Sequence, residues 1–205
     1  MNELIAKIEQ WAEDRNIIKG SKPIDQAMKL FSEFGELADN VGKGRDCRDD
    51  IGDVFVVLTI IGKQLEHDMI IPMADVVELF DKENNHHYGA VYNMACTPKE
   101  KVAYLCSDIA IMVNHFYDCR VDAYSTDDLI EFCLATIFAL CDDLDYTLQE
   151  CAQIAYNDIK DRKGVMYNGV FIKESDPAYQ DALDNIEANK RMASQKRISV
   201  NIEDL

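Results

Sequence analysis

The sequence predicts an all-α protein built from two diverged helical repeats, and three observations support this prediction. Apolar residues recur at helical spacing along residues 2–15 and 24–41, which is typical of amphipathic helices. The run from Val54 to Gly62 is apolar nearly all round, which is typical of a buried helix. The chain also matches itself at a shift of 75 residues (108 − 33), which indicates an internal duplication.

The composition is that of a globular protein with an acidic surface. Hydrophobic residues make up 48% and charged residues 29% of the chain, and the formal net charge is −17. A nucleic-acid polymer is therefore not expected as the main partner, because phosphate neutralisation needs a basic surface. A small nucleotide is not excluded, since a metal and a few local cations suffice to bind it. We expect no membrane-spanning segment, because no apolar run is long enough.

Seven cysteines are present without any C-x-x-C pair, which fits reduced thiols better than a disulfide framework. The first residues lack the basic start and apolar core of a signal peptide. We therefore expect a cytoplasmic location.

The first element is predicted to be an amphipathic helix over residues 2–15. Its apolar face consists of Leu4, Ile5, Ile8, Trp11 and Ala12. Trp11 has two interpretations, a core anchor or a surface for stacking a nucleotide base. Ser21 is the predicted cap of the next helix, with Pro23 in its first turn.

The second helix, predicted over residues 24–41, carries the acidic pair Glu33 and Glu36. Its apolar stripe consists of Ala27, Leu30, Phe31, Phe34, Leu37, Ala38 and Val41. Residues three apart are neighbours on one helix face, so the two carboxylates can point in about the same direction. Both could instead be ordinary solvated charges, since Glu33 lies at the edge of the stripe and Glu36 further round.

A second acidic pair, Asp50 and Asp53, begins the third helix, predicted over residues 49–66. Asp50 could simply cap the helix or oppose its dipole. Asp53 shares a face with buried apolar residues, and a carboxylate there needs a partner or a metal. If the two helices pack antiparallel, all four carboxylates could converge. Such a set of oxygen ligands suits Mg²⁺, or else Mn²⁺.

Comparison of the sequence with itself predicts one domain over residues 1–176 that contains two copies. Copy one spans about 2–93, and copy two spans about 96–176. Each acid of copy one is listed here with its counterpart in copy two: Glu33 with Asp108, Asp50 with Asp128, and Asp53 with Glu131. Copy two has Ile111 in place of Glu36, so only the first acidic site is expected to be complete. Copy one is predicted to end with a helix over about 73–85. Residues 177–205 are predicted to form a further amphipathic helix, over residues 178–194, and a polar tail.

The end of copy two is locally basic. The residues concerned are Asn157, Lys160, Arg162 and Lys163. They could be solvated charges that favour a helix C-terminus. The alternative is that they bind phosphate groups. Lys29, four residues before Glu33, is a further candidate for substrate binding.

Several of these segments together resemble a known family. They are EFGE at Glu33–Glu36, DIGD at Asp50–Asp53, the Gln10–Trp11 helix and the run YNDIKDRKG at Tyr156–Gly164. Over residues 2–66 and 145–176 the chain resembles the MazG-like all-α nucleoside triphosphate pyrophosphohydrolases, of the MazG and dimeric dUTPase superfamily. The resemblance implies a helical bundle, Mg²⁺ dependence, and cleavage of a (d)NTP between the α and β phosphates to a monophosphate and pyrophosphate.

The resemblance also implies roles for individual residues. Glu33, Glu36, Asp50 and Asp53 would be the metal ligands. Glu36 or Glu33 could act as general base through a water. Asn157 and Lys160 would lie near the phosphates, Trp11 near the base, and Lys160 and Arg162 could stabilise charge on the leaving pyrophosphate.

Three other readings stay open. The first is a catalytically weakened protein that binds nucleotide and metal as a regulator, because Asp50 stands where the family has Glu. The second is a di-iron bundle, which needs paired Glu-x-x-His motifs, although only Glu83 and His86 form one. The third is a purely structural helical protein. The apolar face that contains cysteines and the C-terminal helix leave room for a homo-oligomer.

Overall fold

The computed structural model describes residues 1–67, 69, 96–116 and 125–203, with residue 127 and residues 193–203 described as backbone only. The helices are α1 (Asn2–Asp14), α2 (Ile17–Gly20), α3 (Pro23–Lys43), α4 (Arg48–Gln64), α5 (Pro98–His115), α6 (Thr126–Asp143), α7 (Leu148–Ile159) and α8 (Tyr179–Glu203). Strands β1 (Gly164–Tyr167) and β2 (Val170–Lys173) form an antiparallel hairpin. The protein is mostly helical, which confirms the all-α class.

Helix α4 lies at the centre of the core. It packs mainly against α7 and α3, and it also contacts α1, α2 and α6. Its residues Ile51, Val54, Phe55, Leu58 and Ile61 are fully buried, which confirms the prediction of a buried helix. Helix α5 packs against α6 and α3, so the two helix pairs are joined through α3 and α4.

The close approach of α4 to α7 depends on Gly52. A Cβ atom added there would lie 2.1 Å from the carbonyl oxygen of Cys151 and 2.8 Å from the Cβ of Ala155. Any side chain at this position would therefore push the two helices apart. This contact fixes the distance between the acidic start of α4 and the basic end of α7.

The apolar stripe of α3 is confirmed in most of its members, but the prediction for Phe31 is wrong. Leu30 and Leu37 are fully buried, whereas Phe31 is 40% exposed and lies near the exposed Met28. The reason is helical geometry. Phe31 is turned about 100° from Leu30, away from the face that α4 covers.

The predicted cap of α3 is also wrong. The N-cap is Lys22, whose backbone N–H donates to the Asp25 carboxylate over 2.8 Å. Ser21 donates instead to the carbonyl oxygen of Ile17 over 2.8 Å, at the end of the unpredicted short helix α2. The helix predicted over about 73–85 and the Glu83–His86 motif lie outside the described residues.

The hairpin was not predicted, and it joins the two ends of the domain. The backbone N–H of Met166 donates to the Arg15 carbonyl over 2.8 Å, and that of Gly169 donates to the Gly20 carbonyl over 2.8 Å. Helix α8, longer than predicted, packs on the hairpin through Ala182 and Ile186. The hairpin thus holds the end of α7 against the segment that follows α1.

The pairs α3–α4 and α5–α6 begin at corresponding places in the two predicted copies. Pro23 and Pro98 are each the first residue of their helix, and α4 and α6 begin 78 residues apart (126 − 48). Every cysteine in the described part is a free thiol. In the same residues, no helix combines the length and hydropathy needed to cross a membrane.

Candidate functional site

The first acidic pair is split between the core and the solvent. Glu33 is buried, with 5% exposure, and its carboxylate pairs with the ammonium group of Lys29 one turn earlier. Glu36 is exposed. The two carboxylates therefore do not share one environment, because three residues of helix turn the second one out of the α3–α4 interface.

Asp50 is held on the α3 side of the interface. It is buried in the first turn of α4, where the Nδ2 atom of Asn40 donates to its Oδ2 atom over 2.8 Å. The N-cap of the helix is Cys47, so Asp50 does not cap it. A buried carboxylate needs such a partner, and Asn40 provides it.

Asp53, one of the four predicted ligands, has a carboxyl group whose pKa is strongly raised. Its half-buried position raises the pKa of its carboxyl to about 7, chiefly through desolvation and then through the charges of Glu33 and Asp49. Lys29 and Arg162 act in the opposite direction. Glu33 on α3 and Asp53 on α4 therefore lie within electrostatic range of each other.

Two further carboxylates, Asp49 and Asp158, lie in the same group, and neither was among the predicted site residues. Desolvation raises the pKa of Asp49, and the charges of Asp158, Asp50 and Glu33 raise it further. Asp49 could have been found, since it lies one helical turn before Asp53 on the same face. Asp158 could not, because its position depends on how α7 packs against α4. We call Glu33, Asp49, Asp53 and Asp158 the carboxylate cluster.

The predicted cations differ in their relation to this cluster. Arg162 lowers the pKa of both Asp49 and Asp53, so its guanidinium lies within electrostatic range of both. Lys160 instead donates from Nζ to the Oδ1 atom of Asn157 over 3.0 Å, and both residues are exposed at the end of α7. Arg162 is therefore the predicted cation of the α7 end for which the structure gives an electrostatic link to the cluster.

Trp11 braces the end of α7. Its indole Nε1 donates to the carbonyl oxygen of Ile159 over 2.8 Å, and the Arg15 guanidinium lies 4.9 Å from the centre of its ring. Arg15 in turn donates to the carbonyl oxygens of Lys160, over 3.0 Å, and Arg162, over 2.7 Å. These bonds satisfy helix-end carbonyls and agree with the core-anchor interpretation. Base stacking by Trp11 stays a prediction.

The donor chemistry of the cluster suits a hard divalent cation, because every donor is a carboxylate oxygen. Within the described ranges, however, no three His, Cys, Asp or Glu side chains are grouped closely enough to hold an ion by themselves. Lys29 engages Glu33, and Asn40 engages Asp50. The expected convergence of all four predicted ligands is therefore not present in this arrangement.

Two acids of copy two, Asp108 and Asp128, serve local structure. Asp108 accepts a hydrogen bond from the Thr136 hydroxyl over 2.8 Å, and burial nevertheless raises the pKa of its carboxyl. Asp128 accepts hydrogen bonds of 2.7 Å from the backbone N–H and the hydroxyl of Ser125. Asp128 is thus the acid of a capping box at the start of α6.

Comparison with known proteins finds a relative in a phage. A stretch of 73 residues, 35% of this chain, is 47% identical to part of the "Uncharacterized 18.2 kDa protein in rep-hol intergenic region" of Haemophilus phage HP1 (strain HP1c1). The match spans 45% of that protein, so this chain covers less than half of its relative's length. No family model matches the chain. No solved structure matches it either.

Proposed function

We propose that the protein is a Mg²⁺-dependent nucleoside triphosphate pyrophosphohydrolase with a MazG-like bundle, and that the carboxylate cluster is its site. One observation supports this most. Desolvation of the half-buried Asp53 carboxyl, and then the nearby charges of Glu33 and Asp49, raise its pKa to about 7. Such a concentration of negative charge at a half-buried position is costly by itself, and a divalent cation would relieve it.

Glu33 and Asp53 would hold the ion. Glu36, which is exposed, and Asp50, which accepts a hydrogen bond from Asn40, would have to turn toward the ion to become further ligands. Two carboxylates suffice, since protein-bound Mg²⁺ usually keeps several waters and takes its remaining ligands from substrate phosphates. When bound, the ion supplies polarisation of phosphoryl oxygens and a bound water of lowered pKa. Mn²⁺ offers the same chemistry.

The other residues would bind the triphosphate and move a proton. Arg162, which lies within electrostatic range of Asp49 and Asp53, and Lys29 would neutralise phosphate oxygens, and Arg162 would stabilise the leaving pyrophosphate. Lys160 and Asn157 would add contacts at the end of α7. Glu36 is exposed beside Glu33, so either carboxylate would accept the proton of the attacking water.

The test is to identify the products. Wild-type protein is incubated with each canonical ribo- and deoxyribonucleoside triphosphate, with and without Mg²⁺, and pyrophosphate, orthophosphate and monophosphate are quantified. We expect equal pyrophosphate and monophosphate only with the metal. The Glu33→Gln variant should lose this activity, whereas Glu3→Gln, an exposed site on α1, should retain it. Orthophosphate as the first product would show that the wrong bond had been assigned.

The alternative function is that of a regulatory protein with the same fold, and Asp50 favours it. Its carboxylate is occupied by Asn40, and Asp is shorter than the Glu that the resembling family has at this position. A protein of this kind would bind nucleotide and metal with no product. Tight nucleotide binding together with no pyrophosphate release in the product assay would favour it.

A further inference from the structure

A cavity of about 390 Å³ lies apart from the carboxylate cluster. It opens between the loop before α4, the first turn of α5 and the link from α6 to α7. Its wall is largely apolar and includes Val41, Cys47, Pro98 and Leu144. None of the cluster residues lines it. Its volume and its apolar wall are those of a small-molecule pocket.

Two cations, Arg45 and Lys99, line the same cavity. The Nη1 atom of Arg45 lies 3.8 Å from Oδ2 of Asp39, and that same oxygen lies 2.6 Å from the ammonium of Lys43. Asp39 therefore keeps a partner if Arg45 turns to another anion. Lys99 makes no ion pair within the described part of the chain and is exposed. Both cations are available in a protein whose formal net charge is −17.

The aromatic wall of the cavity, Tyr146, packs against a cation that is itself held in place. The Arg48 guanidinium lies 5.3 Å from the centre of the Tyr146 ring. Arg48 is itself held by Asp46, over 2.5 Å, and by Glu150, over 2.8 Å. Because the Tyr146 ring is already restrained by Arg48, it loses little conformational entropy when the ring of a ligand packs against it.

We propose that this cavity binds a small aromatic anion, with its ring against Tyr146 and its carboxylate or phosphate group between Arg45 and Lys99. The apolar wall accounts for the ring, and the two cations account for the charged group. This site is independent of the proposed hydrolysis, because it uses no residue of the carboxylate cluster. Its wall includes Cys47, the N-cap of α4, so a bound ligand would touch the residue just before that helix.

The test is calorimetric titration of the full-length protein with four probes: 2-naphthoate, 1-naphthyl phosphate, the neutral 2-naphthalenemethanol and inorganic phosphate. We expect both aromatic anions to bind and the neutral alcohol to bind at least about tenfold more weakly. Inorganic phosphate should not bind measurably, because it lacks the ring. The stronger of the two anions identifies the preferred head group.

Two variants locate the binding. The double variant Arg45→Gln with Lys99→Gln, which changes two exposed residues, should weaken the binding of both anions at least about tenfold. The control Lys19→Gln with Lys173→Gln, which removes two exposed lysines elsewhere, should leave binding unchanged. Val41→Phe should block binding by filling the cavity, with circular dichroism to check its fold; if it does not fold, the surface double variant decides. No binding of either anion to wild type, or equal binding by the double variant, would overturn the proposal.

Discussion

Asn40 on α3 donates a hydrogen bond from Nδ2 to Oδ2 of Asp50 on α4, over 2.8 Å. This bond joins the two helices close to their connecting loop and satisfies a carboxylate that is only 9% exposed. It separates the roles of the two residues of the second acidic pair. Asp50 takes part in packing the helices, whereas Asp53, one turn later, faces Glu33 and the other charges of the cluster.

The bond predicts different effects for two changes at Asp50. Asp50→Ala leaves the Asn40 amide unpaired at a buried position and should lower the free energy of unfolding by about 1–3 kcal/mol. Asp50→Asn keeps a group that can accept the bond and should cost much less. Urea denaturation of both variants measures the difference. Equal destabilisation by the two variants would contradict the role assigned to the Asn40 bond.

The raised pKa of Asp53 predicts how the stability of the metal-free protein depends on pH. The folded state holds the proton to about pH 7, whereas the unfolded chain loses it near a pKa of about 3.9. Between these values the folded state binds more protons, so stability falls as pH rises and then levels off above pH 7. Desolvation of the half-buried carboxyl contributes most to this raised pKa, the charges of Glu33 and Asp49 add to it, and Lys29 and Arg162 oppose it.

The measurement is the free energy of unfolding of wild type minus that of Asp53→Asn, from pH 4 to pH 8 without metal. The difference removes the contribution of the titrating groups that do not interact with Asp53. Between pH 4 and pH 8, we expect the free energy of unfolding of wild type to fall by about 1–2 kcal/mol relative to that of Asp53→Asn. This value is reduced for solvent screening, because the group is partly exposed. A difference that does not vary with pH would show that the Asp53 carboxyl titrates normally.

Two glycines give a matched pair of predictions for helix packing. Gly52→Ala places a methyl group 2.1 Å from the Cys151 carbonyl oxygen and should lower stability by about 3 kcal/mol or more. Gly35→Ala meets no atom within 4 Å and should raise stability by about 0.5–1 kcal/mol through helix propensity. Thermal unfolding of the two variants provides the test. A tolerated Gly52→Ala change would mean that α4 and α7 are further apart than described.

The bond from Trp11 to Ile159 predicts a local loss of order when the indole nitrogen is removed. Trp11→Phe leaves the Ile159 carbonyl without its donor and should cost about 1 kcal/mol. Hydrogen exchange should become faster in residues 160–167, which follow α7, while α5 and α6 keep the wild-type rates. Unchanged exchange in residues 160–167 would show that Trp11 does not brace this segment.

Local patterns predicted the helices well, because periodicity and buried composition act within one element. The buried helix after Asp53 and the helix that carries Glu33 were found in this way. Phe31 was misplaced because the width of a buried stripe depends on which helices cover it. The hairpin was missed because its two strands have only four residues each and lie beside a helix-forming sequence.

The candidate site could be predicted only in part for the same reason. Spacing identified Glu33 and Asp53, whose charges act on each other in the structure. Asp158 entered the cluster through packing of α7 on α4, which no spacing within one segment encodes. The bond from Asn40 to Asp50 likewise depends on the register of two helices.

A metal site at the carboxylate cluster is tested most directly by measuring Mn²⁺ binding through the electron paramagnetic resonance signal of the free ion. Wild type, Asp53→Asn and the control Glu3→Gln are titrated with Mn²⁺, alone and with α,β-methylene deoxynucleoside triphosphates, which resist cleavage. We predict that wild type and Glu3→Gln bind Mn²⁺ more tightly with the analogues present, and that Asp53→Asn binds at least about tenfold more weakly. Equal binding by Asp53→Asn and wild type would contradict a metal site at the carboxylate cluster.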